Sequence, residues 1–159
     1  MVGSGVAYFS RTAEYALRAM AELALASDEE AVPAVTLANG GQIPPHYLSK
    51  IMRKLVAANL VIATKGPGGG FRLARRRDSI RFLDIVAAVG EQPDPDRCVF
   101  GSGRCHPKDP CPLHPAFALL NNELWRWATE TTLANIPRGW GNTRGPSSAV
   151  AVRTPKKRV

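Results

Sequence analysis

Apolar residues fall at Ala13, Ala16, Leu17, Met20, Leu23 and Ala24, the i, i+3, i+4, i+7 stripe of a helix with one buried face. Ser10 or Thr12 stands where such a helix needs an N-cap, and Asp28-Glu29-Glu30 with Pro33 ends it. A short second helix is expected from Ala34 to Asn39, with Gly40-Gly41 supplying a positive φ at its close. Pro45 suits the first position of a third helix running to Ala58, whose buried stripe is Leu48, Ile51, Met52 and Leu55. Asn59 provides its left-handed stop. Leu60 to Thr64 is a short β-branched run, Lys65 to Gly70 a glycine-rich turn, and Phe71 to Ala74 a returning strand, which together read as a β-hairpin. A fourth helix fits Leu83 to Val89 and is ended by Gly90.

Periodicity then fails. Residues 91–112 hold five of the 13 prolines and all 3 cysteines. Something other than core burial must order such a segment, and a bound metal is one such agent. The pattern resumes at Leu113, Phe117, Leu120, Leu124 and Trp127, a 4-3-4-3 spacing that fits a coiled-coil seam and equally a helix packing on its own domain. After Ile136-Pro137 the composition turns to Gly, Pro, Ser, Arg and Lys, that of a disordered basic tail. The expected fold class is mainly α with a small β wing. A winged helix-turn-helix domain covers 1–90, a cysteine-rich loop 91–112, a long C-terminal helix 113–136 and the tail 137–159.

At 159 residues the chain suits one ordinary domain with an extension or tail. No apolar run approaches the roughly 18 residues of a membrane span. Met1 to Thr12 show no charged stretch followed by an apolar one, so no secretory signal and a cytoplasmic protein are expected. The net charge of +8 is localised. Residues 46–81 carry nine cations (Lys50, Arg53, Lys54, Lys65, Arg72, Arg75, Arg76, Arg77 and Arg81) against Asp78 alone. Residues 137–159 carry six (Arg138, Arg144, Arg153, Lys156, Lys157 and Arg158) and no acid. The remainder is net acidic. A split of this kind marks a polyanion footprint rather than a generally basic surface.

The third helix buries one side and offers His46, Ser49, Lys50, Arg53 and Lys54 on the other, and a B-DNA major groove admits one helix of this kind. The wing tip lacks side chains at its glycines, so backbone can approach a sugar-phosphate wall, with Lys65 in or beside the minor groove and Arg72 near phosphates. The loop departs from a nucleotide-binding P-loop on each count, because the lysine precedes the glycines, no Lys-Ser/Thr follows, and the loop joins two strands. No nucleophile–base pairing that would mark an enzyme appears. The histidines lie on the third helix (His46) or among the cysteines (His106 and His114).

Cys98, Cys105 and Cys111 are spaced C-x6-C and C-x5-C, and His114 completes a C-x2-H. An odd, clustered count argues against a disulfide scaffold. Three close thiolates call for a soft or borderline metal and a fourth donor. The spacing is longer than the C-x2-C of zinc fingers and suits the larger iron–sulphur cluster, while structural zinc and bare redox thiols stay open. Arg97, Arg104 and Lys108 flank the site and partly offset its negative charge.

The chain resembles the iron–sulphur-sensing bacterial repressors of the IscR and NsrR type, the Rrf-two or BadM family, over about residues 8–136. The residues that carry the resemblance are RTAEYALRA from Arg11 to Ala19, Tyr47-Leu48, Lys54-Leu55, Asn59-Leu60-Val61, KGPGGGF from Lys65 to Phe71, the three spaced cysteines and TLANI from Thr132 to Ile136. The resemblance implies a homodimer, joined through a dimerisation helix at 113–136, that binds double-stranded DNA at inverted-repeat operators. It implies a cluster on Cys98, Cys105 and Cys111, with 2Fe–2S favoured over 4Fe–4S, and an operator affinity that responds to iron, oxidation or nitric oxide. The fourth ligand is His114 in one branch and, in the other, the partner subunit's Glu14; the retained C-x2-H spacing favours His114. The resemblance also implies base reading by His46 and Ser49 and a minor-groove role for Lys65. The C-x6-C spacing is one residue longer than usual, Gly40-Gly41-Gln42 replaces a more helical stretch, and 137–159 has no counterpart.

Overall fold

Ser10 starts the first helix, α1 (Arg11–Leu25), its Oγ accepting the Ala13 N–H at 3.2 Å. The computed structural model describes residues 8–26, 29–101, 103–106 and 108–138. Ala13, Ala16, Ala19, Met20, Leu23 and Ala24 are buried, and the small alanines let neighbouring helices approach α1 closely. The predicted stop at Asp28 lies outside the described residues. Pro33 caps α2 (Ala34–Gly40).

The turn after α2 departs from expectation. Gly41 keeps a helical φ of −79°, and the positive φ, 51°, falls on Gln42. The helix closes with Ile43 N–H bonded to Ala38 O at 2.8 Å, six residues round, and that closure places its left-handed residue at Gln42. The two glycines serve close approach instead. A Cβ at Gly40 would run into the Glu22 carboxylate, and one at Gly41 into the Ile43 side chain.

α3 (Pro45–Ala57) buries Leu48, Ile51, Met52 and Leu55 against α1, and Asn59 ends it at φ 55°. The hairpin pairs β1 (Val61–Thr64) with β2 (Gly70–Leu73) antiparallel, Val61 opposite Leu73 and Thr64 opposite Gly70. At its tip Gly69 N–H bonds to Gly66 O at 2.9 Å around Pro67 and Gly68 (φ 72°), the pattern of a type II turn. On the free side of β2, one pair in from the tip, Val32 and Phe71 exchange two backbone hydrogen bonds, at 2.8 and 2.9 Å.

A 3₁₀ turn (Arg77–Ser79) leads into α4 (Phe82–Ala88). The cysteine segment follows, and then α5 (His114–Glu130) and a second 3₁₀ turn (Leu133–Asn135). The stretch read as one helix over 113–136 therefore divides, because the Thr132 N–H turns to Asn135 Oδ1 at 2.8 Å. The returning chain packs on the winged domain. Leu133 N–H bonds to Ile80 O at 3.0 Å, and the Arg77 guanidinium donates to the carbonyls of Leu133 and Ile136.

One side of α5 rests on its own domain through Ala128 and Trp125, whose ring meets Phe9 edge-on at 6.1 Å. Leu113, Leu120 and Trp127 of the predicted seam remain exposed, with Leu119 beside them. The core unites Met20, Leu37, Ile51, Leu55, Leu60, Ile80, Ile85 and Leu133. Among the described residues no helix is long and apolar enough to cross a membrane. Beyond Arg138 the predicted tail lies outside the described residues.

Candidate nucleic-acid interface and thiol centre

His46, Ser49, Lys50 and Arg53 stand exposed along one side of α3. The Ser49 hydroxyl donates to Pro45 O at 3.3 Å, and His46 rests against Tyr47, ring centroids 4.5 Å apart. Tyr47 in turn packs on Tyr15 of α1 at 5.4 Å, which fixes the start of α3 against the core. Lys65 is exposed where β1 enters the wing tip, and Arg72, in register with Ile62, is half-buried.

Much of the remaining positive charge is engaged within the fold. Arg76 pairs with Asp78 at 2.7 Å and Arg81 with Asp84 at 2.7 Å. Arg75 donates to Asn59 O and Arg77 to two backbone carbonyls. Lys54 differs from its sequence placement on the open face: it is half-buried, and its Nζ donates to Val89 O at 3.1 Å. Among the described residues, the cations of this region without a hydrogen bond or ion pair are Lys50, Arg53, Lys65 and Arg72, a smaller set than the charge pattern gives.

The three thiols converge. Cys111 Sγ lies 3.7 Å from Cys105 Sγ and 4.0 Å from Cys98 Sγ, and all three sulphurs fall within 4.8 Å of one another. Cys98 is buried; Cys105 and Cys111 are half-buried. A tight backbone hairpin sets the first two. Arg97 faces Arg104, Cys98 N–H bonds to Gly103 O at 2.8 Å, and Gly101 and Gly103 take φ of 73° and 93°. Cys105 N–H bonds to Asp96 O at 2.7 Å. Cys111 sits just before α5, where its carbonyl accepts the His114 N–H at 3.0 Å.

The Cys111 backbone N–H favours the Cys105 thiolate, but partial desolvation and the neighbouring Cys111 and Cys98 thiols outweigh it and push the Cys105 thiol above its ordinary value. Three sulphurs this close ionise together only beside a cation. The donor set therefore fits a thiophilic metal or a metal cluster. The C-x2-H spacing does not bring His114 into the same group. Its half-buried ring nonetheless holds a buried Nδ1 with no hydrogen-bond partner among the described residues. His106 Nδ1 accepts the Lys108 N–H at 3.2 Å. Glu14 of this chain is half-buried on α1 and outside the thiol group.

Sequence reasoning missed the groups that anchor the loop. Asn121 Nδ2 donates to Asp94 O at 2.9 Å, Trp125 Nε1 donates to Asn121 Oδ1 at 3.0 Å, and the Asp94 carboxylate holds Arg104 at 3.1 Å. The sequence signal was the Pro93-Asp94-Pro95-Asp96 run, with two acids a few residues before Arg97 and Arg104.

A winged helix followed by a three-thiol loop and a returning helix defines a class of DNA-binding transcriptional regulators, and the chain is not an enzyme. It belongs to the Rrf2 family of iron-dependent transcriptional regulators, whose profile matches residues 9–138. It is 33% identical over 122 residues to the HTH-type transcriptional regulator IscR of Vibrio campbellii, covering 77% of this chain and 72% of that protein. It is 32% identical over 122 residues to IscR of Escherichia coli O1:K1, covering 77% and 75%. In fold it is similar to CymR (YrzC), the global cysteine regulator of B. subtilis, with a TM-score of 0.68, 22% identity and coverage of 80% and 94%. It is similar also to T. potens IscR, with a TM-score of 0.64, 22% identity and coverage of 84% and 88%.

Proposed function

We propose that this protein is a homodimeric, cytoplasmic repressor whose affinity for an inverted-repeat operator is set by an iron–sulphur cluster on Cys98, Cys105 and Cys111. The observation that carries the reading is the convergence of three thiols on a loop grown directly from the DNA-binding domain. When bound, the cluster supplies a centre sensitive to iron supply, oxidation and nitric oxide.

The chain's own residues do the rest. His46 and Ser49 face base edges from the first turns of α3, and Lys50 and Arg53 lie toward the phosphates. Lys65 enters the minor groove from the wing, and Arg72 supports the wing at the backbone. His114 is the favoured fourth donor on the strength of its buried, unpartnered Nδ1, and the partner subunit's Glu14 is the alternative. The exposed Leu113, Leu120 and Trp127 of α5 supply the dimer seam. In domain terms, 1–90 bind DNA, 91–112 hold the cluster and 113–136 dimerise.

One observation favours a second reading, structural zinc. Thiolates sharing one tetrahedral zinc, with Zn–S bonds of about 2.3 Å, stand about 3.8 Å apart. The separations of 3.7 and 4.0 Å match that edge. A cluster spreads its thiolates further, so one cysteine would swing outward to hold it, and the two exposed glycines of the loop, Gly101 and Gly103, permit this.

The test is a visible absorption spectrum of protein purified without oxygen, with iron, sulphide and zinc assayed on the same sample. A brown protein with matched iron and sulphide supports the cluster. A colourless zinc protein supports the second reading. A metal-free protein that resists reconstitution and oxidises reversibly leaves a thiol-redox regulator.

A further inference from the structure

Lys54 lies on the helix that meets DNA, yet its ammonium points into the protein. It donates to the Val89 carbonyl at 3.1 Å. Val89 is the C-cap of α4, whose last carbonyls have no partner within the helix, so a lysine there satisfies an otherwise orphaned acceptor. Gly90 follows with φ 104° and turns the chain, and Glu91 N–H closes the helix on Val86 O at 3.0 Å. The Glu91 carboxylate accepts the Ser10 N–H, at the N-cap of α1, at 2.6 Å. Residues 89–91 therefore receive α3 on one side and α1 on the other, and they continue into the segment that carries the thiols.

We propose that Lys54 is a positioning residue, a latch that ties the C-terminal end of the DNA-reading helix to the root of the cysteine loop and so transmits the state of the loop to that helix. The inference deepens the cluster-controlled reading and rests on it. The first residues of the loop are tied to α5 by Asn121 on Asp94 O and to α3 and α1 through the α4 cap. A change in how Cys98, Cys105 and Cys111 are gathered is thus delivered to the cap. Gly90, with the freest backbone, absorbs the rotation, and the Val89 carbonyl turns with it. The ammonium on its flexible stem either follows, shifting the end of α3, or lets go. A DNA-reading helix tolerates little displacement, because both half-sites must be met in register.

The test uses the full chain and a duplex recovered by affinity selection from a random-sequence pool with wild-type protein. Affinity is measured for iron-loaded and apo protein over a series of salt concentrations. Lys54→Met keeps the stem and removes the donor. It is expected to shrink the loaded-to-apo affinity ratio by roughly fivefold or more. Visible absorption, helical content and the salt slope of each form should stay as in wild type, and Lys54→Arg should recover part of the ratio. A ratio unchanged in Lys54→Met overturns the latch. So does a slope lowered by about one unit, since that marks Lys54 as a phosphate contact. Equal affinities of loaded and apo wild type sink the cluster-controlled reading and the latch with it. Should Lys54→Met fail to fold, Glu91→Gln weakens the same junction from the α1 side, and a full ratio in that variant overturns the proposal equally.

Discussion

Lys65 is the residue whose role is simplest to measure. It is exposed at the entry to the wing tip and makes no hydrogen bond or ion pair among the described residues. Lys65→Ala is expected to weaken DNA binding and to lower the slope of log affinity against log salt by about one unit, as for one lost phosphate contact. An unchanged slope removes it from the interface. Cys105 is a half-buried thiol whose Sγ lies 3.7 Å from that of Cys111. Cys105→Ala is expected to abolish metal loading while circular dichroism still reports the helices, and full cluster absorbance in the variant would take Cys105 out of the ligand set. The gathering of the three cysteines was legible in sequence, because thiols confined to one short segment are easily brought together by a single loop. Lys54 was not legible. Whether a cation on α3 meets DNA or a carbonyl depends on Val89, 35 positions away, and no local pattern carries that information.

Among the elements, α1 and α3 were read closely from periodicity, whereas the 113–136 helix ends early at Glu130. The stripes of α1 and α3 are the buried faces observed, and Asn59 is the left-handed stop. The turn between α2 and α3 was misplaced by one residue, because glycine was assigned to φ when its use was close approach to Glu22 and Ile43. Gly70 repeats the lesson. A Cβ there falls against the Val32 carbonyl, well inside contact distance, so Gly70→Ala is expected to lower the unfolding free energy by about 1–3 kcal/mol, read as a drop in Tm. The start of α4 gives a pH signature. Desolvation raises the Asp84 carboxyl, but bonds from the Arg81 guanidinium and N–H outweigh it and hold the group below its ordinary range. A carboxyl lowered in the folded state adds stability present above its unfolded pKa of about 3.9 and lost as pH falls through the folded value. Asp84→Asn is expected to cost about 0.5 kcal/mol at pH 7, discounted because Arg81 is partly exposed, and to be nearly neutral near pH 2. Urea midpoints at the two pH values measure this, and an equal cost at both would exclude the pairing.

At the scale of the molecule, α5 divides its apolar surface. Ala128 and Trp125 serve the chain's own core and Trp127 meets Phe82 edge-on at 5.2 Å, while Leu113, Leu119 and Leu120 face outward. Spacing alone offered a seam or an internal packing surface, and it could not separate them because the two sets of residues interleave on one helix. Leu120→Glu is expected to shift the protein toward monomer in sedimentation at micromolar concentration, and an unshifted dimer would place the interface elsewhere. The paired hydrogen bonds between Val32 and Phe71 also bear on how the molecule opens. They add the segment before α2 alongside β2, so the tip-side end of that strand and the helical half share one cooperative unit. In amide hydrogen exchange, Val32 and Phe71 should be protected to similar degrees and released together, while Gly66 and Gly68 at the tip exchange freely. Thermal breathing of the wing would then reach the DNA-reading half of the protein only when the whole unit unfolds.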